Sequence, residues 1–63
     1  MMCDTNAVLK VNGAEEIFLE SLARIEVNGG MLILTNIFGD RKDLNGRIVE
    51  VNFQAGKVIL ERL

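Results

Sequence analysis

Sixty-three residues with 9 acidic and 7 basic side chains carry a net charge of −2, one cysteine and no histidine, tryptophan or tyrosine. A chain this short fits a single domain spanning 1–63, and it buries only about 60% of the surface its unfolded form exposes. One cysteine excludes an internal disulfide, which leaves a metal or a partner subunit as the aid to so small a core. The apolar fraction of 49% favours self-association.

Glycine-containing turns divide the chain into short apolar runs. The first predicted strand covers 5–12, with Ala7, Leu9 and Val11 on one face. Asn12-Gly13 follows, and Asn-Gly between apolar runs is the signal of a type I′ hairpin turn. The segment from Ala14 to Arg24 has helical propensity, yet Ile17, Ser21 and Arg24 break its apolar face. Too few residues follow Gly13 for a helix and a strand, so strands are expected at 15–19 and 22–28. Asn28-Gly29-Gly30 leads into a strand at 31–37. An irregular stretch is expected from Ile37 to Asp43, closed by a turn at Leu44-Asn45-Gly46. In the strand at 47–53, Val49, Val51 and Phe53 oppose Glu50 and Asn52. Gln54-Ala55-Gly56 turns the chain into a last strand at 57–62. No repeat is visible. The expectation is an all-β fold, a small SH3-like or Sm-like antiparallel barrel of five to six short strands whose curl hides its edges.

Much chemistry is excluded by composition. Without histidine the commonest general base and metal ligand is missing. The one serine, Ser21, has no base to activate it. Glu15 and Glu16 are neighbours in a strand and so point to opposite faces, which makes a poor acid/base pair. The glycines belong to hairpins and not to a phosphate loop. An independent enzyme is not expected. Lysine and arginine are dispersed, the nearest approach to a cluster being Arg41-Lys42 between Asp40 and Asp43. Phosphate-backbone binding needs concentrated positive charge, which disfavours nucleic acid. The apolar runs are far shorter than a membrane span, and the N-terminus lacks the blocks of a signal peptide. A cytoplasmic location, where a thiol stays reduced, is the expectation.

Cys3 is the only credible chemical site. One reading is an inert, half-buried thiol at the start of the first strand. The other is a soft ligand for nickel, copper or zinc. One thiolate per chain is too little for a metal site, but a two-fold homodimer sets two copies of Cys3 across its axis. With two nitrogens from the N-terminal segments they make a square-planar donor set. That suits Ni(II) or Cu(II) and not tetrahedral zinc.

A Met-Cys start (Met2-Cys3), the turn Asn12-Gly13, the stretch from Asn36 to Lys42, and the ending from Gly46-Arg47-Ile48 through Lys57–Glu61 together resemble the CooT family. These small nickel-binding proteins are accessory to maturation of nickel-dependent carbon monoxide dehydrogenase. The resemblance implies a homodimer that holds one Ni(II) between its subunits through the cysteine next to the initiator methionine, here Cys3. It also implies the dehydrogenase or its maturation proteins as partners. One departure is Met1-Met2, where the family pattern has a single methionine. Starting at Met2, methionine removal leaves a free amine on Cys3 that forms a five-membered chelate with the thiolate. Starting at Met1, that nitrogen is locked in a peptide bond. The alternative class is an RNA-binding Sm-like module; it rests on fold analogy alone and meets an acidic chain with three aromatic residues. Phe38 also has two readings, an anchor for a partner protein or a cap on the barrel core beside a bulge at Gly39. The cap is favoured.

Overall fold

A computed structural model describes residues 5–63. Its six strands are β1 (Asn6–Val11), β2 (Ala14–Leu19), β3 (Leu22–Asn28), β4 (Met31–Asn36), β5 (Arg41–Asn52) and β6 (Lys57–Arg62). The all-β expectation holds, and the described residues contain no helix. Leu19 and Leu22 explain why Ala14–Arg24 is extended. Both are buried, on two strands joined by a tight corner at Glu20-Ser21, where Ser21 takes a φ of 54°.

The strands form one sheet in the order β2-β1-β6-β5-β4-β3. Four of the five neighbouring pairs are antiparallel; β1 and β6 run parallel. That parallel pair departs from a simple meander. Its register sets Ala7 beside Val58 and Leu9 beside Leu60, and all four side chains enter one core. Slipping either strand by one residue would turn that set outward. The outer strands, β2 and β3, share no ladder among the described residues, so the sheet is rolled but not closed. The roll is fastened at one end by backbone bonds, Leu22 N to Thr5 O at 2.7 Å and Ile37 N to Ser21 O at 2.9 Å.

The core draws on every strand: Ala7 and Leu9, Leu19, Leu22, Leu32 and Leu34, Leu44, Val58 and Leu60. Leu32, Leu34 and Leu60 are fully buried, each contributing roughly 1.5–3 kcal/mol relative to exposure.

β5 holds the main departure from expectation. The turn expected at Leu44-Asn45-Gly46 is strand, and the irregular stretch ends by Arg41. β5 changes partner at its middle, pairing with β4 over Arg41–Asn45 and with β6 over Gly46–Asn52. Gly46 is the crossing point. A Cβ there would overlap the backbone carbonyl of Glu61, so the glycine answers to close approach of two strands and not to a turn. The second half of β5 differs again. A bulge between Ile48 and Glu50 shifts its register, and Val49, Val51 and Phe53 are exposed instead of entering the core.

Candidate functional site

Cys3 lies outside the described residues. Its nearest described neighbour in sequence, Thr5, is buried, and its carbonyl accepts the short bond from Leu22 N. Asn6 fastens the same point. Its amide donates to Gly56 O at 2.9 Å, and its Oδ1 accepts from Ser21 N at 3.1 Å. The N-terminal segment is therefore rooted where the β2–β3 corner and the β5–β6 turn meet. Ser21 works here as a corner residue, matching its lack of any activating base.

Beside this root lies an apolar groove of 330 Å³, lined by Thr5, Leu22, Ala23, Arg24, Ile25, Val51, Phe53 and Val58. It forms because the bulge in β5 carries Val51 and Phe53 past the end of the core while β3 stays at the sheet's edge. Arg24 stands at the groove with its guanidinium on Glu26 at 3.1 Å.

Next to the same corner is the β4–β5 connection, built by one side chain. Asn36 is 7% exposed. Its Oδ1 accepts from Phe38 N at 3.0 Å and Asp40 N at 2.8 Å, while its Nδ2 donates to Asp40 Oδ2 at 3.2 Å. Backbone bonds from Asn36 N to Asp40 O and from Gly39 N to Asn36 O complete the loop, with Gly39 at a φ of 88°. The tip carries Ile37 and Phe38 into solvent, and Phe38 is 73% exposed. Phe38 therefore does not cap the core. The core is filled without it, by Leu22, Leu34, Leu44 and their neighbours.

Three further ion pairs lie outside this corner. Glu15 accepts from Lys57 at 2.9 Å, Arg47 pairs with Glu61 at 2.8 Å, and Arg41 with Asp43 at 3.5 Å. Such exposed pairs contribute about 0–1 kcal/mol each, and they spread the basic residues among acids. Among the described residues no group of three or more histidine, cysteine, aspartate or glutamate side chains gathers where it could hold a metal. No helix among them is long and apolar enough to cross a membrane. Sequence reasoning missed the role of Asn36. Its signal was there to find: an asparagine four residues before an aspartate with glycine between them, the pattern of a side chain that replaces backbone partners.

Comparison with known proteins gives one consistent answer. Residues 2–61 match the family model described as CO dehydrogenase accessory protein CooT. An uncharacterized protein of Methanocaldococcus jannaschii is 32% identical over 60 residues, covering 95% of this chain and 98% of the relative. An uncharacterized protein of Archaeoglobus fulgidus is 37% identical over 43 residues, covering 68% of this chain and 96% of its own length. The crystal structure of a protein assigned as CooT from Carboxydothermus hydrogenoformans superposes with a TM-score of 0.88 at 31% identity, over 97% of this chain and 98% of that one. The family resemblance read from Met2-Cys3, Asn36–Lys42 and the C-terminal strands is thus confirmed: this chain belongs to the CooT family of CO dehydrogenase accessory proteins.

Proposed function

We propose that this chain is a nickel-carrying accessory protein for carbon monoxide dehydrogenase, a cytoplasmic homodimer in which two Cys3 thiolates bind one Ni(II) as cargo. The observation that carries this reading is the span of the family match. It begins at residue 2 and takes in Cys3, the chain's one cysteine. One chain alone is a poor fit to a metal, with a single thiol, no histidine and no acidic cluster among the described residues. Two chains double the soft donors, and thiolate is the ligand type that selects nickel over hard cations.

The surroundings support the reading. One residue separates Cys3 from Thr5, whose carbonyl accepts from Leu22 N, and covalent geometry holds the Cα atoms of Cys3 and Thr5 within about 7 Å. The site is therefore tethered to a rigid root. Val51 and Phe53, exposed in the groove that Thr5 also lines, form an apolar surface beside that root and suit burial against a second copy. A form beginning at Cys3 after methionine removal has an amine nitrogen beside the thiolate and binds nickel more tightly than the Met1 form.

Titration of Ni(II) into the purified protein is expected to saturate at one metal per two chains, with thiolate-to-nickel charge-transfer absorption. Cys3→Ala removes both signals. Unchanged nickel binding by that variant, or saturation at one metal per chain, overturns the assignment.

A further inference from the structure

The β4–β5 loop presents an aromatic side chain in a way that chain reversal does not require. The polar work of the corner is complete without Phe38's ring. Asn36 accepts the Phe38 and Asp40 amides, Asp40 takes the Asn36 amide group, and Gly39 supplies the positive φ. A serine or lysine at position 38 would serve that geometry equally. Instead the tip holds Ile37 and Phe38, both more than half exposed. The loop is also tied to the body, since Ile37 N donates to Ser21 O at 2.9 Å. An exposed aromatic side chain on a fixed loop is the pattern of an interface anchor, because little ordering remains to be done on binding.

We propose that the Ile37–Phe38 tip is the surface by which this chain docks on its client, a folded protein with an apolar pocket that accepts one aromatic ring. The chain's accessory role makes nickel-free carbon monoxide dehydrogenase that client. The inference rests on that family role and is independent of Cys3. Charge speaks against other occupants. Two acids and two bases, Asp40, Arg41, Lys42 and Asp43, cancel beside the tip, and Arg41 is paired to Asp43. Neither a phosphate backbone nor an anionic lipid surface finds a field to hold it there. A tip-to-tip contact between copies is disfavoured by shape, because it sets protrusion against protrusion, and a contact that seats each tip in a groove of the other copy would show as a change of mass on altering Phe38.

The test is binding of the purified full chain to immobilised nickel-free carbon monoxide dehydrogenase, with sedimentation and nickel titration run on the same samples. Phe38→Ser is expected to weaken association at least about tenfold, and Phe38→Leu to weaken it less. Val27→Ser serves as control. Val27 is 67% exposed and pairs with Leu32 at the other end of β3, far along the strand from the Leu22–Asn36 pair. It should leave binding unchanged, and all three variants should keep the thermal transition and nickel stoichiometry of the parent chain. The proposal is overturned by equal affinity of Phe38→Ser and the parent, by an equal loss with Val27→Ser, or by no association of the parent at 100 µM, a concentration taken as about the weak limit of specific docking. It is also overturned if Phe38→Ser changes the mass in solution, which would make the tip a contact between copies. Loss of nickel binding in Cys3→Ala with client binding intact would separate this surface from the metal site.

Discussion

Two Asn-Gly dipeptides in this molecule do opposite things. At Asn12-Gly13 both residues take positive φ, 52° and 82°, and the chain reverses between β1 and β2. At Asn45-Gly46 the chain runs straight on as β5, and the glycine marks where that strand leaves β4 for β6. The first glycine supplies a backbone conformation and faces open space; the second supplies room, with the Glu61 carbonyl where its side chain would be. One dipeptide thus meets two different physical needs. The sheet can roll over its core only because the second lets β5 and β6 touch.

The sharpest way to break this comparison is Gly46→Ala. The new methyl group meets only backbone atoms of Glu61 and Arg62, which cannot swing aside, so the strands must separate, and a cost of about 4 kcal/mol is expected, beyond ordinary overpacking. The variant should show no cooperative unfolding transition or a strongly lowered urea midpoint. A midpoint equivalent to the parent's within about 1 kcal/mol would mean that the corner yields easily. Asn36→Ala comes next. It removes the one oxygen that accepts from two backbone amides, and one donor, from a nearly buried corner and should cost about 2 kcal/mol, with hydrogen exchange at Phe38 and Asp40 accelerating most. Retained protection at those two amides would show that the loop holds without its asparagine. Gly13→Ala is milder. Nothing crowds the new methyl group, so only the left-handed conformation counts, at about 1 kcal/mol. Finding Gly13→Ala as damaging as Gly46→Ala in parallel urea titrations would erase the distinction between conformation and room. The smallest effect belongs to Glu15→Gln at the exposed pair with Lys57, below about 0.5 kcal/mol. That difference should vanish in high salt, and a larger, salt-insensitive loss would show that the pair does more than decorate β1, β2 and β6.

The hairpins were readable because their cause is local. Asn12-Gly13, Gly29-Gly30 and Gly56 all take positive φ, a property of the residue types themselves. Strand identity was readable for the same reason, down to the face shared by Ala7, Leu9 and Val11. Leu44 and Gly46 were misread because their cause is remote. Leu44 is buried by strands from elsewhere in the chain, and Gly46 answers to Glu61, fifteen positions away. Alternation placed Val49, Val51 and Phe53 on one face, but pattern could not say that a bulge between Ile48 and Glu50 would break the register at Val49 and that all three would be exposed. For the candidate site, elimination singles out Cys3 as the one thiol in a chain without histidine, and it lies outside the described residues. Phe38 was visible as a candidate anchor, but its exposure depends on the Asn36 network, which pattern alone does not reveal.

What the sequence by itself determined is the set of local choices: six β segments, their turns, the dearth of catalytic groups, and membership of the CooT family through residues 2–61. Only the tertiary structure decided the parallel β1–β6 pair, the unbroken β5 and the outward tip at Phe38. The reason is common to all three. Turn chemistry acts between neighbours, whereas strand partners and exposure are set by which distant apolar faces can share one core, and Gly46 with the Glu61 carbonyl over it is where that choice is made.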